Sequence, residues 1–172
     1  MLETDTHIYF WGGYLSQWFK SRFNAYIDDY FGHVTFETAE QYMMFMKAHV
    51  FKDKKAMLEL MSCSDPKKCK EIGRRVQGFD QEIWDKVSFD IVVNGNFHKF
   101  QQNFILYDKL YATGDKILVE ASPYDRIWGV GLKEDDPRIL DDKNWLGENR
   151  LGKALMSART MLKQFGSPKG RR

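Results

Sequence analysis

A carboxylate and an amine stand seven residues apart on one face of a predicted helix. The segment TAEQYMMFMKAHVF, residues 38–51, has helical composition and places Glu40 and Lys47 among methionines and a phenylalanine. Seven residues are nearly two helical turns, so the two side chains point the same way, ~10 Å apart, and could bracket a small ligand. A lysine beside apolar walls loses its proton more easily and becomes a usable nucleophile. The alternative is a half-exposed helix in which Lys47 reaches solvent and Glu40 serves the helix dipole.

A second set of polar residues lies in ASPYDRIWGVG, residues 121–131. Proline and glycines make this segment a loop that displays Asp125, Arg126 and Trp128 after a predicted strand. A carboxylate next to an indole could activate water beside a stacked base. The alternative is a structural turn in which Asp125 pairs with Arg126 and Trp128 fills the core.

Two further segments could hold a phosphate. Asn149, in WLGENRLGKALM, precedes a helix whose free N–H groups can bind an anion, although Asn149 could equally cap that helix. Arg74, in GRRV, could clamp a phosphate or could simply be solvated at a helix end. The four histidines lack metal-site spacing, and no P-loop, G-x-G-x-x-G turn or nucleophile elbow is present, so we expect no metal and no cofactor.

The elements that position these residues are mostly helical. Thr38 and Gln41 have the spacing of a capping box, so Thr38 is the expected N-cap of the helix that carries Glu40. Further helices are predicted over 65–76, from residue 80 to about 100 with either a kink or an interruption at Asn94-Gly95, over 103–111, and over 151–162. Strands are predicted over 7–11 and 116–121, and a hairpin over 22–37. The sequence therefore predicts an α+β fold, a mainly helical single domain with a small β-sheet, spanning residues 1–165 and followed by a flexible tail, 166–172.

Composition narrows the class of protein. A chain of 172 residues with 43% hydrophobic residues suits one soluble domain, and a net charge of +2 excludes a polycation. The 15% aromatic share suits both a core and the stacking of nucleobases. Cys63 and Cys69 fit neither a CxxC pair nor a zinc cluster, and no signal peptide or membrane span is apparent, so we expect a cytoplasmic protein without membrane contact.

Taken together, these segments resemble one family. TAEQYMMFMKA, GRRV followed by Trp84, KF at 99–100, LVEASPYDRIWGVG and GENRLGKALM occur in the order found in NADAR-type, or YbiA-like, proteins. The resemblance runs from about Tyr9 to Leu162. Its most specific parts are the E-x6-K helix, the D-x-x-W-G loop and the closing G-x-N-x-L-G, which together are far more specific than any one alone.

The resemblance implies a YbiA-like fold and an N-glycosidase that acts on a ribosylated amine. Some members release ADP-ribose from modified guanine, and others cleave phosphoribosylamino-pyrimidine intermediates of riboflavin synthesis. The implied catalytic residues are Lys47, as the amine of a Schiff base with the anomeric carbon, together with Glu40 and Asp125. The implied substrate-binding residues are Trp84, Trp128, Gly129, Arg74, Asn149, Ser16 and Gln17.

The chain departs from the family at one motif and leaves several alternatives open. Where relatives often read S-N-F, this chain reads Ser16-Gln17-Trp18, and the longer Gln17 side chain changes the contact available there. Direct water attack between two carboxylates, without the lysine, is also chemically sensible. A non-catalytic module that binds ADP-ribose or a nucleotide is a further hypothesis. The expected partner is ADP-ribosylated guanine or a small phosphoribosyl substrate, with a monomer as the expected oligomeric state.

Overall fold

The structure, a computed structural model, describes residues 1–166. The described strands are Leu2–Glu3 (β1), His7–Phe10 (β2), Phe23–Tyr26 (β3), His33–Phe36 (β4) and Ile117–Glu120 (β5). The described α-helices are Ala39–Val50 (α1), Lys54–Met61 (α2), Pro66–Arg74 (α3), Gln81–Gln101 (α4), Phe104–Ala112 (α5) and Arg150–Phe165 (α6). The predicted α+β class, mainly helical with little sheet, is confirmed. The predicted flexible tail lies, from residue 167 onward, outside the described residues.

A three-stranded sheet with the order β1-β2-β5 brings together two distant loops. Strand β2 pairs in parallel with β5, with His7 opposite Ile117 and Phe10 opposite Glu120. Since the strands are parallel, both carboxyl ends meet at the same edge of the sheet. The loop after β2, which contains Ser16 to Trp18, and the loop after β5, which contains Asp125, therefore start side by side.

The predicted hairpin and the cap of α1 are both confirmed. Strands β3 and β4 pair in antiparallel fashion, with Phe23 opposite Phe36. The Thr38 hydroxyl accepts a hydrogen bond from the backbone N–H of Gln41 at 3.1 Å, as the capping box predicts. The Gln41 side chain accepts from the N–H of Glu37 at 2.7 Å rather than from that of Thr38. Helix α1 thus starts at a defined residue, which fixes Glu40 in its first turn.

Two details of the helices differ from the prediction. Helix α4 is continuous through Asn94 and Gly95, so the expected interruption is wrong. Gly95 serves close packing instead, because a Cβ there would lie 2.6 Å from the ring of Tyr42. Helix α2 is not among the predicted elements; Asp53 caps it by accepting from the N–H of Ala56 at 3.0 Å. The charged run around residues 52–55 hides this short helix from a pattern search.

The main hydrophobic core lies between the hairpin and the helices, and α1 runs through it against α2, α3 and α4. A smaller core beneath the sheet surrounds Tyr9 and Val119. Helix α6 packs on both β5 and α4. Among residues 1–166, the helices are all too short or too polar to cross a membrane.

Candidate active site

Glu40 is a buried carboxyl group in the first turn of α1. Only 6% of the residue is exposed, so it does not occupy the half-exposed position of the alternative interpretation. The pKa of Glu40 is raised to about 7, chiefly by burial; Lys70 and Arg74 act to lower it, and the charge of Asp125 acts to raise it. The Trp18 indole N–H also faces this carboxyl group and favours its charged form. Glu40 can therefore exchange a proton near neutral pH.

Three carboxyl groups from different elements lie within electrostatic range of one another at this position. Glu120, the last residue of β5, has its pKa raised to about 8, first by burial and then by the charges of Asp125 and Glu40. Lys70, half-buried on α3, lies within electrostatic range of both glutamates and lowers the pKa of each. We call Glu40, Glu120 and Asp125 the carboxyl cluster. Two predicted catalytic residues, Glu40 and Asp125, are thus brought together.

Asp125 has one oxygen committed to its own loop. Its Oδ1 accepts from the N–H groups of Ile127 at 2.9 Å and Trp128 at 2.7 Å, which closes the turn. The structural turn of the alternative interpretation is therefore present, but residues 1–166 contain no ion pair between Asp125 and Arg126, because backbone N–H groups rather than the guanidinium hold the carboxylate. Trp128 is half-buried against the core, and the Arg150 guanidinium lies 4.9 Å from the centroid of its ring.

Lys47 lies between two aromatic rings farther along α1. Its Nζ is 4.1 Å from the centroid of the Phe79 ring and 5.7 Å from that of Trp84. Partial burial lowers the pKa of Lys47 below its usual value. Phe79 and Trp84 hold the N′ and N4 positions of α4, the spacing of a hydrophobic staple. The start of α4 therefore shapes the surroundings of the amine.

Helix α3 supplies the positive charges beside the carboxyl cluster. It approaches α1 closely at Gly73, where an added Cβ would lie 2.0 Å from the Sδ atom of Met44. Lys70 and Arg74 lie one turn apart on this helix, and Arg74 is exposed. Arg74 therefore lies on the solvent-exposed side of the site, where a substrate phosphate could reach its guanidinium, as predicted.

Ser16 and Gln17 anchor the loop after β2 rather than projecting into the site. Gln17 is 8% exposed; its Oε1 accepts from Asn96 at 2.9 Å, and its backbone oxygen accepts from the N–H of Glu40 at 3.0 Å. The Ser16 backbone oxygen accepts from Lys99 Nζ at 2.8 Å. These contacts place the next residue, Trp18, against Glu40 with 43% of its surface exposed. The predicted contact between Gln17 and substrate is therefore not favoured, because its amide is engaged within the protein.

Lys99 should make the stability of the protein depend on pH. It is fully buried, which lowers its pKa from 10.5 to about 7. The unfolded chain thus binds more protons between those values, so this lysine costs most stability below pH 7 and less as the pH rises, by about 1.4 kcal/mol per unit. We expect Lys99→Met to gain unfolding free energy relative to the native protein near pH 6 and to lose that advantage toward pH 9, as measured by urea denaturation.

The difference between the pH profiles of Lys99→Met and the native protein reports on Lys99 alone, because all other titrating residues are present in both proteins. Loss of the hydrogen bond to Ser16 shifts the Lys99→Met curve by a constant amount and leaves its slope unchanged. The exposed Lys86, replaced by methionine, serves as the control and should follow the native profile. Parallel profiles for Lys99→Met and the native protein would show that Lys99 stays charged in the fold.

Asn149 and Gly129 stabilise the end of β5 and the loop that follows it, which carry Glu120 and Asp125. Asn149 Oδ1 accepts from the N–H of Glu120 at 3.0 Å, and Nδ2 donates to the Leu118 oxygen at 2.9 Å. Asn149 is 2% exposed and has a φ of 54°, the left-handed region that asparagine tolerates. Its side chain makes no capping hydrogen bond to α6, so the capping alternative is wrong. The predicted substrate contact of Asn149 is not favoured, since both ends of its amide bind β5.

Gly129 lets the loop pack closely against β5. A Cβ on Gly129 would lie 2.9 Å from the backbone oxygen of Asp125 and 3.0 Å from that of Glu120.

Three residues of the site are absent from the sequence-based set: Glu120, Lys70 and Phe79. Glu120 lies inside the LVEASPYD motif, five residues before Asp125, and the end of a strand that precedes a loop is a common location for a functional residue. Lys70 lies four residues before Arg74 on an amphipathic helix, and Phe79 directly precedes the Asp80 cap. The sequence position of each residue indicated a possible functional role, but sequence position does not show which residues of other elements lie beside it.

Within residues 1–166, neither the surface depression nor a set of metal ligands coincides with the candidate site. A surface depression of about 490 Å³ is lined by Pro123 and by residues 131–133 and 135–138, none of which is a predicted site residue. Residues 1–166 hold no group of three or more His, Cys, Asp or Glu side chains that could bind a metal ion. The convergence of titratable groups, rather than a deep cavity, marks this position.

Comparison with known proteins finds one family over most of the chain. The NADAR domain family matches residues 9–163. N-glycosidase R617 of Acanthamoeba polyphaga mimivirus is 42% identical over 166 residues, which cover 92% of this chain and 97% of that protein. The riboflavin biosynthesis protein PYRR of Zea mays, a chloroplastic protein, is 30% identical over 142 residues, which cover 77% of this chain but 20% of the maize protein.

The fold is also similar to a solved structure. The NMR structure of the E. coli protein YbiA superposes with a TM-score of 0.72 at 26% sequence identity. The match covers 99% of this chain and 94% of that one. The likeness therefore includes the strands and helices that carry the carboxyl cluster and Lys47.

Proposed function

This chain belongs to the NADAR domain family, and from that premise we propose that it is an N-glycosidase that hydrolyses the bond between ribose C1′ and an amine nitrogen. The observation that carries the proposal is the carboxyl cluster beside Lys70, one member of which, Glu40, lies on the same helix, α1, as the half-buried amine of Lys47. Hydrolysis of an N-glycosidic bond needs an acid for the departing nitrogen and a base for water. Carboxyl groups with raised pKa values are suited to the first task, and an ionised carboxylate to the second.

We further propose that Lys47 forms a Schiff base with C1′. Partial burial lowers the pKa of Lys47, so the neutral amine is more available than that of a solvated lysine. In this mechanism the amine attacks C1′ and the nitrogen of the substrate leaves with a proton. The C1′–O4′ bond then breaks to give the imine, and water hydrolyses the imine to release the sugar. Glu40 and Asp125 move protons in these steps, since they lie at the start of the same helix and in the adjacent loop.

The proposed substrate is guanine that carries ADP-ribose. Trp18 and Phe79 are 43% and 41% exposed, which leaves aromatic surface for a nucleobase to stack on. Lys70 and Arg74 offer two positive charges, a number that suits a diphosphate better than a monophosphate. A substrate with two phosphates and two bases uses these groups more fully than a phosphoribosyl pyrimidine does.

The substrate is tested by parallel incubations. The purified protein is mixed either with a guanine-ADP-ribosylated oligonucleotide or with a phosphoribosylamino-pyrimidine, and released sugar is followed by mass spectrometry. We expect ADP-ribose to appear, with a kcat/KM at least ten times that for the pyrimidine. An unmodified oligonucleotide controls for nuclease contamination. Binding of the first substrate without release of sugar would favour the non-catalytic module instead.

Hydrolysis of the riboflavin-pathway intermediate is the second candidate. The similarity to maize PYRR, a riboflavin biosynthesis protein, favours it, although the match covers a small part of that protein. Such a substrate contains the same C1′–nitrogen bond, so the carboxyl cluster and Lys47 would have the same tasks. Release of ribose phosphate from the pyrimidine alone would favour this candidate.

A further inference from the structure

Among the three carboxyl groups of the cluster, only Glu120 contributes a buried oxygen atom that lacks a hydrogen-bond partner within residues 1–166. Its Oε2 atom is buried and unpaired. A buried polar atom without a partner destabilises the fold, so such an atom calls for a physical reason. By contrast, Glu40 faces the Trp18 indole, and Asp125 bonds to its own loop. The buried Oε2 atom of Glu120 is therefore available to bond to a ligand.

The backbone of Glu120 is held on both sides. Its N–H donates to Asn149 Oδ1 at 3.0 Å, and its carbonyl oxygen accepts from the N–H of Val130 at 3.0 Å. Asn149 adopts a left-handed conformation to make this contact, and Gly129 leaves room for the oxygen. A residue that is fixed this firmly at the backbone, yet unpaired at its side chain, suits a group that must be aimed at a ligand.

We infer that Glu120 is a further catalytic residue, the general acid that protonates the departing nitrogen; this inference rests on the proposed function. The charged groups that face it are Glu40 from α1, Lys70 from α3 and Asp125 from its own loop, while its partner across the sheet is the apolar Phe10. Two of its charged neighbours are acidic and one is basic, so a neutral, proton-bearing Glu120 is favoured. Burial acts in the same direction and raises its pKa to about 8.

The proposed reaction conserves protons and electrons at each step. As Lys47 attacks C1′, the C1′–N bond breaks and its electron pair stays on the nitrogen. The O–H bond of Glu120 breaks, and its proton forms the new N–H bond of the released amine. The C1′–O4′ bond then breaks, O4′ takes one proton from the lysine nitrogen, and the C1′=N bond of the protonated imine forms.

Water adds to the imine carbon and gives one proton to a carboxylate of the cluster, and that proton returns to Glu120. The proton of the new hydroxyl group passes to the lysine nitrogen as the bond from C1′ to Lys47 breaks. Lys47 leaves as the amine and the sugar closes its ring, so the enzyme is regenerated without another reactant.

The test compares two leaving groups in the native protein and in Glu120→Gln. With ADP-ribosylated guanine, Glu120→Gln should lower kcat by about 10²-fold, the usual order for loss of a general acid. With a p-nitrophenyl riboside, whose leaving group departs as a stable anion, the same variant should lose less than fivefold. The decline of activity above about pH 8 in the native protein should also disappear in Glu120→Gln.

Controls separate an acid from a structural residue. Glu71→Gln, at an exposed position on α3, should match the native protein with both substrates, and the thermal unfolding midpoint is measured for every variant. Equal losses with both leaving groups, or an unchanged alkaline decline, would overturn the assignment of Glu120. If the native protein cleaves neither ADP-ribosylated guanine nor the pyrimidine, the proposed function fails rather than this assignment alone. Glu120→Asp keeps a carboxyl group on a shorter side chain. The decline of activity above about pH 8, which should be absent in Glu120→Gln, should therefore partly return in Glu120→Asp.

Discussion

Replacement of Lys47 by methionine should lower the rate of ADP-ribose release by roughly 10³-fold, while the protein stays folded. The amine is the proposed nucleophile, so its removal deletes a bond-forming group rather than a contact. Methionine has a similar length and keeps the packing against Phe79 and Trp84, and it gives up a cation–π contact worth about 0.5–1 kcal/mol. Steady-state kinetics together with thermal unfolding check both parts of this prediction.

A charge-retaining variant and a chemical trap decide how Lys47 acts. Lys47→Arg keeps the cation but cannot form an imine, so it should be as inactive as Lys47→Met; near-native activity would show that only the charge is required. Borohydride added during turnover should attach the sugar to the protein, and peptide mass mapping should place it on Lys47. Attachment at Lys70, the amine beside the carboxyl cluster, would transfer the role to α3. Lys86→Met, at an exposed position on α4, should behave like the native protein.

The placement of Glu40 was predictable because it depends on one helix. The Thr38 cap, the first-turn position and the seven-residue spacing are local properties, and each follows from helix geometry. The aromatic surroundings of Lys47 were only partly predictable. Trp84 was identified by family resemblance, whereas Phe79 comes into contact through the packing of α4 against α1. The local sequence pattern therefore predicts which face of a helix a side chain occupies, but it does not predict which residues of other elements contact that side chain.

The roles of Asn149 and Glu120 could not be predicted from local pattern. The role of Asn149 depends on the packing of α6 on β5, and that of Glu120 depends on the charged groups that α1, α3 and the following loop place near the end of β5. Asn149 occupies the residue position expected of a helix cap, yet its amide bonds to β5, because α6 packs directly on that strand. An asparagine before a helix has the same sequence pattern in either case. The distinction requires tertiary contacts.

Glu40→Gln should lower kcat by about 10³-fold with a smaller change in binding. Glutamine keeps the shape of the buried side chain and can still contact Trp18, so ligand affinity should change less than the rate. Loss of affinity with an unchanged kcat would instead favour the non-catalytic module. Single-turnover measurements with excess enzyme separate the two quantities, and Glu71→Gln again serves as the exposed control.

The same variant should become more stable as it loses activity. Burial raises the pKa of Glu40 from 4.5 to about 7, so the folded protein holds a proton that the unfolded chain releases between those values. That contribution is fully present below pH 4.5 and is lost as the pH rises through 7, a loss of about 3 kcal/mol. Glutamine does not titrate, so the advantage of Glu40→Gln in unfolding free energy should be small at pH 4.5 and grow to about that value by pH 8. Such opposite effects on stability and activity are expected of a carboxyl group that is buried for its chemistry, whereas a purely structural Glu40 would lose stability when replaced.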